Sequence, residues 1–351
     1  MPRILFLDDD PVVRVLRMVL SNAEHDPWIR DYFAPEKVDF SPLVAAATGL
    51  RRSEHAVIGL GAQFEDATAI IFRRGTVNAE LIARHPRLRL IQRLGERPEG
   101  IDLAAAAARG VRVSCLPRPT LNYTAEHVIL LMLALAKQLL IADHAVREGS
   151  PNAAKVPGAE GSTYNWVGLA GATGLHGKTL GIVGMGEVGT LVARLARAFG
   201  MNVLYTNRRR SAPEIEIAIG AKFAPIAEVL ARSDHVSLSA SNVPENAGLA
   251  NAAFFSAMRR SAFFVNTSRG KLVDEDALYD ALEKGVIAGA GLDVHAVEPR
   301  PAADRFAALP NVILTPHVGG GARSGLLEEF AVIARNCHAA LRGEPVLHEL
   351  R

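Results

Sequence analysis

Short apolar runs alternate with stretches of helical periodicity along most of the chain, in two separate series. Up to about residue 117 the runs are RILFL, HAVIGL, TAIIF, LRLIQRL and VRVSCL. From KTLGIVGMG onward a second series follows: NVLYTN, HVSLSA, AFFVNTSRG, VIAGAGLDV and NVILTPHVGG. Short strands separated by helical patterns predict parallel sheets covered by helices, because parallel neighbours need a crossover connection and a helix is the usual one.

Between the two series, LNYTAEHVILLMLALAKQLLIADHAVREG reads as one long helix, with Thr120 or Asn122 as cap and Gly149 as stop. Its centre, Val128 to Ala136, is wholly apolar but is followed by Lys137 and Gln138. That is well short of the roughly 20 apolar residues a membrane span needs, so it reads as a buried helix. Residues 150–177 are rich in Gly, Pro, Ser and Ala without periodicity, which predicts a long loop. Trp166 within it is placed either over the active site or against a partner subunit. The closing helix, about Ala322 to Leu341, is amphipathic and has no strand partner of its own.

Bulk numbers narrow the function classes. A chain of 351 residues, 49% hydrophobic and 22% charged, is long enough for two cores in a soluble protein. With 39 basic against 37 acidic residues the net charge is only +2, so no overall field draws nucleic acid or an acidic membrane. Cys115 and Cys337 lie far apart, without the density of a disulfide scaffold or the spacing of metal ligands, which fits a reducing cytoplasm and no metal. MPRILFLDDDP lacks the cationic and apolar segments of a signal peptide. Its strand and clustered acids resemble the start of a phosphorylation receiver, but the later strand-end aspartate such a domain needs is absent from LRRSEHAVIGLGAQ.

The strand TLGIV runs into GMGEVG, with Gly184, Gly186 and Gly189 in the spacing G-x-G-x-x-G, and then into the helical pattern TLVARLARAFG. In a dinucleotide site the first glycine makes a tight turn, the second admits a pyrophosphate to the backbone, and the third lets the helix pack close to the sheet. The helix N-terminus adds unbonded N–H groups and the positive end of its dipole. At the end of the next strand, where an Asp or Glu selects the ribose 2′-OH of NAD, stands Asn207, followed by Arg208, Arg209 and Arg210. Guanidinium groups pair bidentately with phosphate, so NADP(H) is expected in preference to NAD(H). The plainer alternative is a solvated basic turn.

Three later strings carry chemically useful side chains at strand ends: VNTSRG with Arg269, GAGLDVHAVEP with Glu298, and TPHVGG with His317. With LIQRLGERPEGIDLAAAAARGVRV, TAEHVILLMLALA and GKTLGIVGMGEVG in the same order, the chain over about residues 65–345 resembles the D-isomer-specific 2-hydroxyacid dehydrogenases, among them glyoxylate and hydroxypyruvate reductases. The resemblance implies a Rossmann domain inserted into a flavodoxin-like substrate domain: 118–317 would bind NAD(P), and 1–117 with 318–351 would form the substrate part. It implies that Arg269 binds the carboxylate of a small 2-keto or 2-hydroxy acid, that His317 exchanges the proton, and that Glu298 orients and charges His317. It also implies cofactor contacts by Glu187 and Val188 at the pyrophosphate turn, Thr267 beside the nicotinamide ribose, Asp293 at the carboxamide, and His317 and Gly319 in TPHVGG. A carboxylate at 298, where related formate dehydrogenases carry a glutamine, favours keto-acid reduction. The family pattern is a homodimer formed largely by the helix around 128–142.

Departures from the pattern are informative. The substrate loop, usually Gly-Ala-Gly, reads Gly95, Glu96, Arg97, then Pro98 and Glu99, and Arg97 is expected to enter the pocket and suit an acid with a second anionic group. The alternative is that Arg97 pairs with Glu96 at the rim. Ser239 and Ser241 stand where His and Pro are usual, which unsettles the cofactor contacts there. Two other functions fit the same resemblance: a phosphoglycerate dehydrogenase-like enzyme, and a dinucleotide-sensing interaction protein like the co-repressors of this fold.

Overall fold

The five apolar runs of the first series form five parallel strands: β1 (Arg3–Phe6), β2 (Val57–Leu60), β3 (Ala69–Phe72), β4 (Leu90–Leu94) and β5 (Arg112–Leu116). The computed structural model describes residues 1–9, 11–52, 56–61, 63–149 and 165–350. These divide into two compact units, Met1–Thr120 with Gly321–Arg351, and Leu121–Gly320.

In the first unit the strand order is β2-β1-β3-β4-β5, the flavodoxin-like winding. Side chains alternate across the sheet as strand geometry requires. Ile4, Phe6, Ile71, Leu90 and Leu94 point to the layer of helices Pro11–Leu20, Ser41–Ala47 and Gly325–Leu341. Leu5, Ile70, Phe72, Ile91 and Val113 point to helices Ala79–Arg84 and Leu103–Ala108. Each such side chain, buried fully, contributes about 1.5–3 kcal/mol.

Polar anchors hold the closing helix to this sheet. Glu329 lies 3.0 Å from Arg118 Nε and accepts from Thr120 Oγ1 at 2.8 Å, and the Arg118 and Glu329 side chains are only 7% and 2% exposed. Two turns further on, Asn336 Nδ2 donates to Gln92 Oε1 at 2.8 Å and to Leu347 O at 3.0 Å, while its Oδ1 accepts Leu347 N at 2.8 Å.

The second unit holds β6 (Thr179–Val183), β7 (Asn202–Thr206), β8 (Ala221–Phe223), β9 (His235–Leu238), β10 (Phe263–Asn266), β11 (Gly289–Leu292) and β12 (Val312–Leu314). All pairings are parallel, in the order β12-β11-β10-β9-β6-β7-β8. This is the dinucleotide-binding order with one strand added at the edge. The winding reverses between β6 and β9, and ligands of such sheets bind outside the carboxyl ends of the strands at that reversal. The short β8, only AKF, has too few residues for a periodic signal and was not expected from the sequence.

The predicted long helix is corrected: it breaks into Pro119–Ala136 and Leu139–Glu148, bent by 58°. Gln138 takes the left-handed conformation at φ +52, its side chain donates to Ala170 O at 2.6 Å, and Thr173 N caps Ala136 O at 2.7 Å. The chain after the break thus supplies the bonds that a continuing helix would have made internally. Thr120 lies inside the first segment rather than at its cap. Among the described residues no single helix is long and apolar enough to cross a membrane. Of the expected loop at 150–177, residues 150–164 fall outside the described residues, and Trp166 is half-buried.

Candidate active site

The turn after β6 places each glycine differently. Gly184 sits at φ +104, and a Cβ there would lie 2.6 Å from the backbone of Ser239 and Ala240. A Cβ on Gly189 would lie 2.3 Å from Gly184 O, so the helix Glu187–Ala198 packs against its own entry turn only because that residue is bare. Gly186 is the exception: no heavy atom lies within 4 Å of its would-be Cβ. It is the N-cap of the helix, with no side-chain hydrogen bond from the cap residue, and it is exposed, with Glu187 and Val188 half-buried behind it. An open backbone at an uncapped helix N-terminus, at the sheet's reversal point, fits a pyrophosphate.

At the end of β7, Asn207, Arg208 and Arg209 are exposed, and neither Arg208 nor Arg209 has an ion-pair partner among the described residues. Arg210 is spent elsewhere. Its guanidinium grips Glu216 at 2.9 and 2.8 Å, the Tyr205 hydroxyl donates to Glu216 Oε1 at 2.6 Å, and Ser211 N donates to Tyr205 Oη at 2.9 Å. Arg210 and the tyrosine hydroxyl together hold Glu216 down to about 2. Of the three arginines, Arg210 ties the helix Pro213–Ile219 to β7, and Arg208 and Arg209 are the pair expected at the cofactor.

Beyond β10, β11 and β12 the expected site residues come together. His317 Nδ1 lies 2.8 Å from Glu298 Oε2, and His317 Nε2 has no hydrogen bond among the described residues. His317 has a left-handed backbone, φ +56, with its N–H donating to Thr315 O at 3.0 Å. Burial pushes the Glu298 carboxyl up, but the hydrogen bonds from His317 and from the His295 N–H outweigh it and hold it below the usual carboxylate range. Arg269 follows β10 on an extended residue in a locked turn, where Ser268 N donates to Asn266 Oδ1 at 2.9 Å and Asn266 Nδ2 to Arg269 O at 3.1 Å. A Cβ on Gly270 would meet the His295–Ala296 backbone at 2.0–2.3 Å, so this turn lies directly on the loop carrying Glu298. Arg269, Glu298, His295, Lys271 and Asn242 line one open pocket.

Thr267 is buried at the end of β10. Asp293 is buried and its carboxylate is fully engaged: Oδ1 accepts from Thr315 Oγ1 at 2.7 Å and Val318 N at 2.9 Å, and Oδ2 from Gly319 N at 2.8 Å. Burial pushes Asp293 up, yet His127, Thr315 and these two N–H groups outweigh that and leave it well below the usual range. Asp293 thus grips the segment that follows His317. His127, which the sequence did not single out, stands 3.0 Å from Thr315 Oγ1 and extends the network to the helix Pro119–Ala136.

In the first unit, Gly95, Glu96 and Arg97 lie just beyond the carboxyl end of β4. Gly95 is at φ +151 and donates to Leu116 O at 3.1 Å. Arg97 Nη1 is 3.7 Å from Glu99 Oε1. Beneath the turn, Arg93 donates to Arg97 O and lies 3.0 Å from Glu99 Oε2. This brace was missed because a strand arginine carries no spacing signal. Among the described residues no group of His, Cys, Asp and Glu is arranged to hold a metal ion.

A family profile described as "D-isomer specific 2-hydroxyacid dehydrogenase, NAD binding domain" matches residues 129–319. The chain is 38% identical over 271 residues to a glyoxylate reductase of Thermococcus onnurineus, covering 76% of this chain and 78% of the relative. Its fold is similar to a glyoxylate reductase from Paecilomyes thermophila, TM-score 0.60 at 27% identity, covering 99% of this chain and 98% of that one. It is also similar to the apo D-mandelate dehydrogenase of Rhodotorula graminis, TM-score 0.62 at 26% identity, covering 100% and 98%.

Proposed function

The chain belongs to the D-isomer-specific 2-hydroxyacid dehydrogenase family, and from that premise we propose that it reduces a glyoxylate- or hydroxypyruvate-type 2-keto acid to the D-2-hydroxy acid with NADPH. It is an NAD(P)-dependent oxidoreductase acting on small acids. The observation that carries the finer reading is the 2.8 Å contact of Glu298 Oε2 with His317 Nδ1, which leaves Nε2 as the proton-bearing atom for the substrate.

Arg269 would bind the substrate carboxylate with its planar fork and polarise the adjacent carbonyl. His317 would protonate the carbonyl oxygen from Nε2, and the Glu298 carboxylate would stabilise the charged ring before transfer. The nicotinamide, when bound, supplies the hydride. The open backbone at Gly186, Glu187 and Val188 would take the pyrophosphate, Asn207 the ribose, and Arg208 and Arg209 the 2′-phosphate. Gly95, Glu96 and Arg97 would serve as a substrate-binding loop. Asp293 would act on the cofactor through backbone it holds, since its oxygens are already bonded.

A homodimer is proposed on the apolar exposure of Tyr123, Leu130, Leu139, Leu140, Ile141 and Val146 along the two segments of the broken helix. Two reduced, buried cysteines support a cytoplasmic location. The test is NADPH oxidation with glyoxylate, hydroxypyruvate and a wider 2-keto acid panel. His317→Ala should lower kcat by about 10²–10⁴-fold, the usual contribution of a general acid. Cofactor binding without turnover on any acid would instead support a dinucleotide sensor.

A further inference from the structure

Only one oxygen of Glu298 is engaged by His317. The other, Oε1, accepts the backbone N–H of His295 at 2.9 Å. The ring of the same histidine reaches the other half of the pair: its Nε2 lies 3.0 Å from Thr315 O, the carbonyl that also accepts the His317 N–H at 3.0 Å. One residue thereby touches the loop of the base and the turn of the acid.

The protonation of that ring is decided by its partners. A carbonyl oxygen only accepts, so Nε2 carries the hydrogen and Nδ1 is the acceptor. Facing Nδ1 at 3.0 Å is Arg300 Nη1, which only donates. Arg300 is fixed in turn: it forks onto Glu275 with both contacts at 3.2 Å, has Asp304 Oδ1 3.1 Å from Nε, and lies 4.7 Å over the Phe306 ring. Glu275 Oε1 also accepts Ala296 N at 3.1 Å. His295 is 8% exposed and the Arg300 side chain 11%, so these bonds are sheltered from competing water.

We propose that His295, held in one tautomer by Arg300, is a positioning residue that sets the geometry of the Glu298–His317 pair. The charged groups around it are Arg300 on its own loop, Glu298 through the shared N–H, Glu275 and Asp304 through Arg300, and Arg269 and Lys271 in the pocket it helps line. This rests on the reading of His317 as proton donor.

The experiment uses the full-length enzyme with NADPH and its best 2-keto acid. His295→Phe keeps the ring volume and the backbone N–H but removes both ring bonds. Misplacing a reacting group by about 1 Å costs on the order of 100-fold, so kcat should fall about 10- to 100-fold while KM for the acid and Kd for NADPH stay within about twofold. His295→Gln, whose amide can donate to Thr315 O and accept from Arg300, should recover most of kcat. If His295→Phe does not fold, Arg300→Met is measured in its place and should lower kcat with the same unchanged KM. Wild-type kcat in His295→Phe or, in its absence, Arg300→Met would overturn the proposal, as would a rise in KM matching the loss of kcat or a Gln variant no better than Phe. His317→Ala keeps the two readings apart: if it retains turnover the proton-donor reading falls, and if it is inactive while His295→Phe is normal only the positioning role falls.

Discussion

Replacing Arg208 by Ala should shrink a preference for NADPH over NADH, whereas replacing Arg210 should leave the preference and weaken the fold. The difference follows from what each guanidinium already holds. Arg208 and Arg209 are exposed and have no ion-pair partner among the described residues, so a 2′-phosphate would meet them without breaking an existing pair. A hydrogen bond to a charged group contributes about 1.5–3 kcal/mol net, and at this exposed site the lower end applies. Since about 1.4 kcal/mol is tenfold, the wild type should favour NADPH at least about tenfold in kcat/KM. Arg208→Ala should lower the NADPH/NADH ratio by about that factor. Arg210 is occupied by Glu216, which also takes the Tyr205 hydroxyl at 2.6 Å, so Arg210→Ala strands a nearly buried carboxylate and should lower Tm with the ratio unchanged. The assay is kcat/KM with both cofactors for the wild type and the two single variants. Equal use of both cofactors by the wild type, or an equal collapse of the ratio in Arg210→Ala, would refute the reasoning.

Three further outcomes are expected. Gly186→Val should leave Tm almost unchanged, because its side chain enters open space, yet abolish NADPH binding in a fluorescence titration; binding at wild-type affinity would remove the pyrophosphate from that turn. Arg97→Gly should cut kcat/KM more for a dicarboxylic than for a monocarboxylic keto acid, and equal losses would leave Arg97 as a rim residue beside Glu99. Burial holds His235 down to about 4, below the unfolded value of about 6.5. The unfolded chain then binds the extra proton between those values, so this contribution is full above about pH 6.5 and shrinks by about 3 kcal/mol as pH falls to about 4. Tm against pH over that window should be flatter in His235→Leu, and parallel curves would count against it.

What could be read in advance and what could not divide along a physical line. Strands such as RILFL, TAIIF and TLGIV announce themselves because a short, nearly continuous apolar run, buried on both faces of a parallel sheet, is a property of the run itself. The doubly wound class follows from alternation, and G-x-G-x-x-G is legible because its glycines share one strand–turn–helix, in which the bare Gly189 meets Gly184 O five residues back. The break at Gln138 was invisible because its compensating bonds come from Ala170 and Thr173, far along the chain.

The same division runs through the candidate site. His317, Glu298 and Arg269 sit in short strings of recognisable order, but groups that complete their network are contributed from elsewhere: Glu275 to Arg300, and His127 to Thr315 beside Asp293. A partner brought in by the fold leaves no spacing to read, and for that reason NRRR looks like one basic cluster in the sequence. Helix Pro213–Ile219 returns over β7 and puts Glu216 against Arg210, not against Arg208 or Arg209. The carboxylate that takes one arginine out of the cluster ties its helix to β7 and leaves Arg208 and Arg209 exposed. Removing Glu216 should therefore lower Tm, as Arg210→Ala does, and leave the NADPH/NADH ratio to Arg208 and Arg209.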